Sequence, residues 1–204
     1  MDIFSLSVFV VLTTFSPGPN NISCASMGIV YGYKNTRPYI LGICTGFFVI
    51  MAVCAMVSST LLAKVPQSAS ALKWIGSLYI LWLAVGMLKA GYDIPGNTSQ
   101  PVSEPGAFTK GMTLQLINPK ALVYGMTLYS TFLAPISHHM EWLVALGGVF
   151  ALVAFFATSF WALSGAMIRD KIQNPKLKAR VNTVLCMMLV YTAADLAGLT
   201  AIIF

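Results

Sequence analysis

Ser16-Pro17-Gly18-Pro19-Asn20-Asn21 and Asn118-Pro119-Lys120 are the two places in this 204-residue chain where prolines and polar side chains interrupt long apolar sequence. Pro17 and Pro119 stand 102 positions apart, half the length of the chain. Asn20, Asn21 and Asn118 can each donate and accept, so they can hold loose backbone or a polar ligand. Lys120 adds a cation that suits a carboxylate. Proline removes a backbone donor and clashes with the preceding turn, so each motif is expected to break a helix. A broken helix frees N–H groups at the start of its second half, the partly positive end that binds anions, and carbonyls at the end of its first. The chemistry on offer is non-covalent capture of a small polar ligand. A lone break would be better explained as a packed proline kink with asparagines filling the gap; two at half-chain spacing favour a site.

The elements that must carry these residues are membrane helices. Hydrophobic residues make up 57% of the chain and charged residues 9%, and the mean hydropathy is +0.79, outside the range of soluble domains. Charge-free runs extend over Ile3–Tyr33, Pro38–Ala63, Trp74–Leu88 and Trp142–Ile168, against roughly 20 apolar residues needed to span a bilayer. The start at Asp2, with no basic segment ahead of the apolar stretch, argues against a cleaved signal peptide. In lipid a broken helix survives only where protein or a water-filled cavity satisfies the freed groups. Paired breaks in corresponding positions of two halves mark the central site of secondary transporters.

The expected fold is all-α: six transmembrane helices near 3–31, 38–62, 70–90, 108–133, 141–166 and 181–203, the first and fourth broken. Loop 91–107, with Pro95, Gly96, Asn97, Pro101, Pro105 and Gly106, is the long polar connector. It divides a single transmembrane domain, 1–204, into halves of about 1–92 and 106–204. Three helices per half invert the second half relative to the first. Nine basic residues, Lys34, Arg37, Lys89, Lys110, Arg169, Lys171, Lys176, Lys178 and Arg180, fall at the loops after helices 1, 3 and 5. Only Lys64 and Lys73 fall at those after helices 2 and 4, which puts both termini outside. The net charge of +6 is therefore topological, and no nucleic-acid partner is expected.

Lys120 and Asp195 are ionisable residues within the expected spans, where charge is costly and suggests function. Proton coupling, an ion pair between them, and an interfacial place for Asp195 all stay open. Gly28 with Gly32 and Gly42 with Gly46 have GxxxG spacing, which lets helices pack closely. The four cysteines lie in apolar segments without a CxxC, so no metal or cofactor is expected. HExxH, GxSxG and P-loop motifs are absent, and the six acids are scattered, which argues against an intramembrane enzyme or an ATP-driven pump. A passive channel or a membrane scaffold is the alternative to a carrier, though neither needs paired breaks.

The first motif, followed by Gly28, Gly32, Gly42 and Gly46, resembles the opening of the LysE/RhtB amino-acid exporter family. Leu72-Lys73-Trp74-Ile75-Gly76-Ser77-Leu78-Tyr79-Ile80 resembles its third helix, and Gly111 to Lys120 its fourth. The likeness covers nearly the whole chain. Leu114-Gln115, Asn118, Lys120, Tyr124-Gly125 and Ser130-Thr131-Phe132 look closest to the branch that exports cysteine and O-acetylserine, as do Trp161-Ala162-Leu163 and Leu189-Val190-Tyr191. The resemblance implies efflux of a small amino acid or derivative by proton exchange, in a bacterial inner membrane, with room for a homodimer. Ser16, Pro17, Gly18, Pro19, Asn20, Asn21, Gln115, Asn118, Pro119, Lys120 and Tyr124 are the candidate substrate-binding residues. Asp195 matches no motif of the family.

Overall fold

Helix α1, Ile3–Phe15, stops where Ser16 precedes Pro17, because the residue before a proline is steered out of helical geometry. It opens a computed structural model that describes residues 3–58, 74–85, 106–169 and 174–199. The described residues form helices joined by turns, bends and short irregular stretches, with no strand. Helix α2, Pro19–Ser58, starts with proline at its first position, where no backbone donor is needed. Its 40 residues are two helices joined at Gly32, whose φ of 73° and ψ of 164° lie outside helical space.

The joint at Gly32 corrects two expectations. The segment between the first two helices shrinks from residues 32–37 to Gly32 alone. Gly32 is therefore a backbone kink and not the partner of Gly28 in a packing face. Asn35 Nδ2 donates to the Tyr31 carbonyl (3.1 Å) and Thr36 Oγ1 to that of Gly32 (2.8 Å), so side chains bridge the kink. Pro38 lies early in the second segment, where it removes a single backbone bond.

Helix α3, Trp74–Val85, is the described part of the expected third helix. Residues 91–105 of the central connector lie outside the described residues. Helix α4, Ala107–Leu116, ends at Ile117, and Asn118 is extended (φ −77°, ψ 108°) before α5, Pro119–Thr127. A π-helical turn, Leu128–Phe132, and a 3-10 turn, Ala134–Ile136, follow. Helix α6, Met140–Ile168, is continuous. Helix α7, Pro175–Leu196, begins six residues before the expected 181. Asn174 caps it by accepting the Lys176 N–H (2.9 Å), so Lys176 and Arg180 sit on its first turns and not in a loop. It ends at Gly198 (φ 79°), with Leu199 N–H bonded to Ala194 O (3.0 Å) and Gly198 N–H to Asp195 O (2.9 Å), a Schellman cap.

Helices α2 and α6 are long and apolar enough to cross a membrane, and α2 packs most extensively on α6 and α4. Glycine permits both contacts. A methyl group at Gly28 would fall 2.1 Å from the Ala162 carbonyl oxygen, and one at Gly165 2.0 Å from that of Ala25. At Gly42 it would meet the Phe108 carbonyl at 2.0 Å, and at Gly111 that of Tyr39 at 2.2 Å. At Gly46 it would come within 3.1 Å of the Gln115 side chain. These approaches bring α4 and α6 against α2 on either side of the Gly32 kink. The largest core cluster, around Met51, Tyr124, Tyr129, Leu143 and Phe150, packs beneath the second break.

Candidate functional site

The carbonyls freed at the end of α1 are all claimed by side chains or by the last turn. Ser16 N–H bonds to Leu12 O (3.0 Å), and Ser16 Oγ donates to Thr13 O (2.8 Å). Asn21 Nδ2 donates to both Thr14 O and Ser16 O at 2.8 Å. Trp161 Nε1, on α6, donates to Phe15 O (3.1 Å). Pro17 O accepts from Thr192 Oγ1 of α7 (2.9 Å) and from Lys120 Nζ (2.9 Å). Each bond removes an orphan that an apolar surrounding would penalise by about 1–3 kcal/mol. The break is thus held open by three other helices.

The second break uses its asparagine as a helix cap. Asn118 Oδ1 accepts the Lys120 N–H (3.1 Å), while Pro119 occupies the first position of α5. From there a polar chain crosses to the first break. Asn118 Nδ2 donates to Asn20 Oδ1 (3.1 Å), and Asn20 Nδ2 donates to Gln115 Oε1. In the other direction Lys120 Nζ reaches Ser16 Oγ (2.7 Å) as well as Pro17 O. The lysine stem lies along Gly18, where a methyl group would come within 3.2 Å of its Cδ and Nζ. The two breaks, distant in sequence, are one hydrogen-bonded unit.

That unit lines a cavity of about 60 Å³, room for a handful of water-sized groups. The end of α1 contributes Thr13, Thr14 and Ser16, the start of α2 contributes Pro19 to Asn21, and the start of α5 contributes Asn118 and Lys120. Ile43, Phe47, Ala121, Tyr124 and Ala154 supply an apolar wall, with Thr158 beside it. Two helix N-termini and one C-terminus therefore face the same space. The N-termini favour negative charge, while the carbonyls at the end of α1 are already engaged by Asn21, Trp161, Thr192 and Lys120. Lys120 is the charged residue of the lining, and it also feels the field of Asp195 in the last turn of α7. Among the described residues, Gln115 Nε2 and Tyr124 Oη are buried polar atoms without a hydrogen-bond partner. The Thr14 side chain lies near the Tyr124 hydroxyl but outside hydrogen-bonding geometry.

Of the residues named from sequence, Ser16, Gly18, Pro19, Asn20, Asn21, Asn118, Lys120 and Tyr124 border the cavity. Pro17 acts through its carbonyl, Gln115 through Asn20, and Pro119 as the start of α5. Pro119 also seats α3, since a methyl group at Gly76 would fall 2.4 Å from its Cβ. Sequence reading missed Thr13, Thr14, Thr158, Trp161 and Thr192. The hydroxyls at 13 and 14, just ahead of the break, were the available signal. Thr158 and Thr192 come from other helices and carry no local mark, and Trp161 enters only within the Trp161-Ala162-Leu163 resemblance, which gives it no role at the break.

The sequence profile of the LysE type translocator family matches residues 11–199. The cysteine/O-acetylserine efflux proteins of Escherichia coli K12 and Shigella sonnei are each 30% identical to this chain over 185 residues, 91% of it and 92% of the relative. No solved structure matches. A match over nearly its whole length, with both helix breaks inside it, makes this chain a member of the LysE family of amino-acid efflux transporters.

Proposed function

We propose that the chain is a secondary active transporter that exports a small neutral amino acid or derivative, of the cysteine or O-acetylserine kind, in exchange for protons. The observation that carries this reading is the cavity in which both helix breaks meet, with Lys120 at the N-terminus of α5. The substrate carboxylate takes Lys120 and the N–H ends of α2 and α5, and its ammonium faces the end of α1. In the resting arrangement Ser16 Oγ and Pro17 O occupy the Lys120 ammonium. A carboxylate would compete for it, loosening the tie between α5 and the first break. An incoming proton that released this carboxylate would couple export to proton entry, with Lys120 and Asp195 as the candidate carriers.

The same reading sets the chain in the bacterial inner membrane as two inverted three-helix halves, 1–92 and 106–204, with both termini on the outer side and a homodimer as its assembly. The exposed Ile75, Leu78, Trp82, Phe156 and Met167 support a lipid-facing exterior. The test is transport by purified protein in proteoliposomes, with an amino-acid panel and an imposed pH gradient. Accumulation of a small neutral amino acid against its gradient, abolished by collapsing the pH difference, is the expected result. Equilibration that ignores the pH gradient would favour a passive channel, and no flux at all a scaffold.

A further inference from the structure

We propose that the Tyr124 hydroxyl reads the side chain of the transported amino acid and selects one that carries a hydrogen-bond acceptor. This rests on the reading of the cavity as the amino-acid site and names the part of the substrate that reading leaves open. Tyr124 is 5% exposed, borders the cavity, and its hydroxyl is an orphaned buried polar atom. Its ring is fixed: Phe9 stacks on it at 5.4 Å and 12°, and Phe47 tilts against it at 5.6 Å and 46°. The backbone beneath is fixed too, because a methyl group at Gly125 would fall 2.7 Å from Met51 Cε and 2.8 Å from Cys54 Sγ. An unsatisfied hydroxyl held this rigidly is poised for a partner arriving from the cavity.

Its position relative to Lys120 sets what that partner is. The two residues are four apart on α5, on one face of the helix and about 6 Å apart along its axis. A carboxylate held at Lys120 therefore directs the rest of a small amino acid toward Tyr124. The wall there is Phe47, Ala121 and Ala154, which suits a short and mostly apolar side chain. No acid is among the lining residues, and Asp195 already acts on Lys120 from α7, so a lysine or arginine side chain would bring a second cation beside Lys120 with no lining carboxylate of its own. No second base is among them either, which disfavours an acidic side chain. A purely apolar side chain would seal Tyr124 Oη away from any acceptor. Sites built to bond a polar group discriminate against the analogue that lacks it.

The test compares kcat/KM for threonine against valine, and serine against alanine, in proteoliposomes containing the full chain. Wild type is expected to prefer the hydroxyl member of each pair by about tenfold. Tyr124→Phe, which keeps the ring stack, should bring both ratios close to one by slowing the hydroxyl substrates. Gly148→Ala, which stands outside the cavity lining with open space around the new methyl group, should leave both preferences in place. Wild-type transport without either preference would overturn the proposal while sparing the transport reading, and needs no variant to fold. Unchanged ratios in Tyr124→Phe, or an equal loss of both members, would also overturn it. A wild type that moves no amino acid would overturn the transport reading first, and this proposal with it.

Discussion

Asn20 and Asn118 bond to each other and, through Lys120 and Gln115, to both ends of the site. Alanine at either position removes one to two hydrogen bonds, each about 0.5–1.5 kcal/mol net, and at 118 also the cap of α5. We expect transport to fall at least about tenfold in each, since about 1.4 kcal/mol is a factor of ten, with folded yield largely kept. Normal transport by both would make the asparagines spectators. Lys120→Arg should not fully restore what Lys120→Ala removes, because the guanidinium is larger and planar while the lysine stem already lies against Gly18. Asp195→Asn should be milder than Lys120→Ala; equal damage would make Asp195 the essential partner of Lys120. These residues were legible because proline marks them. Thr192 and Trp161 were not, since a side chain that donates to a distant break leaves no pattern in its own helix.

Among the elements, close backbone contacts decide which substitutions are tolerated. Gly42→Ala places a methyl group 2.0 Å from the Phe108 carbonyl oxygen, so α2 and α4 must separate. A loss of about 1–3 kcal/mol is expected, read as a lower melting temperature in detergent. Gly148→Ala, with nothing within 4 Å of the new methyl group, should melt like wild type and serves as the control. Equal melting of the two would contradict the packing. The glycine spacing announced close packing, yet it did not separate Gly42, which packs, from Gly32, which kinks. Nor did sequence show that α7 starts at Pro175, although Asn174-Pro175-Lys176 repeats the Asn118-Pro119-Lys120 cap. The π-helical turn at Leu128–Phe132 had no proline or glycine to announce it.

For the whole molecule, hydropathy and two proline motifs carried the helical character and the positions of the two helix breaks, because both follow from rules local to the backbone. The cavity's contents did not follow, because they depend on how α1, α2, α5 and α6 converge. The nine-to-two division of basic residues predicts the orientation. Cysteines introduced within 169–180 should resist an impermeant thiol reagent on intact cells, and efficient labelling would reverse the assignment. The central claim is that the two helix breaks form one amino-acid site with Lys120 as its carboxylate partner. Equilibrium binding of small neutral amino acids to the purified protein, wild type against Lys120→Ala, tests it most directly. We predict saturable binding to wild type and at least about a tenfold weaker affinity in Lys120→Ala, at unchanged melting temperature. Equal affinity in the two proteins would contradict it.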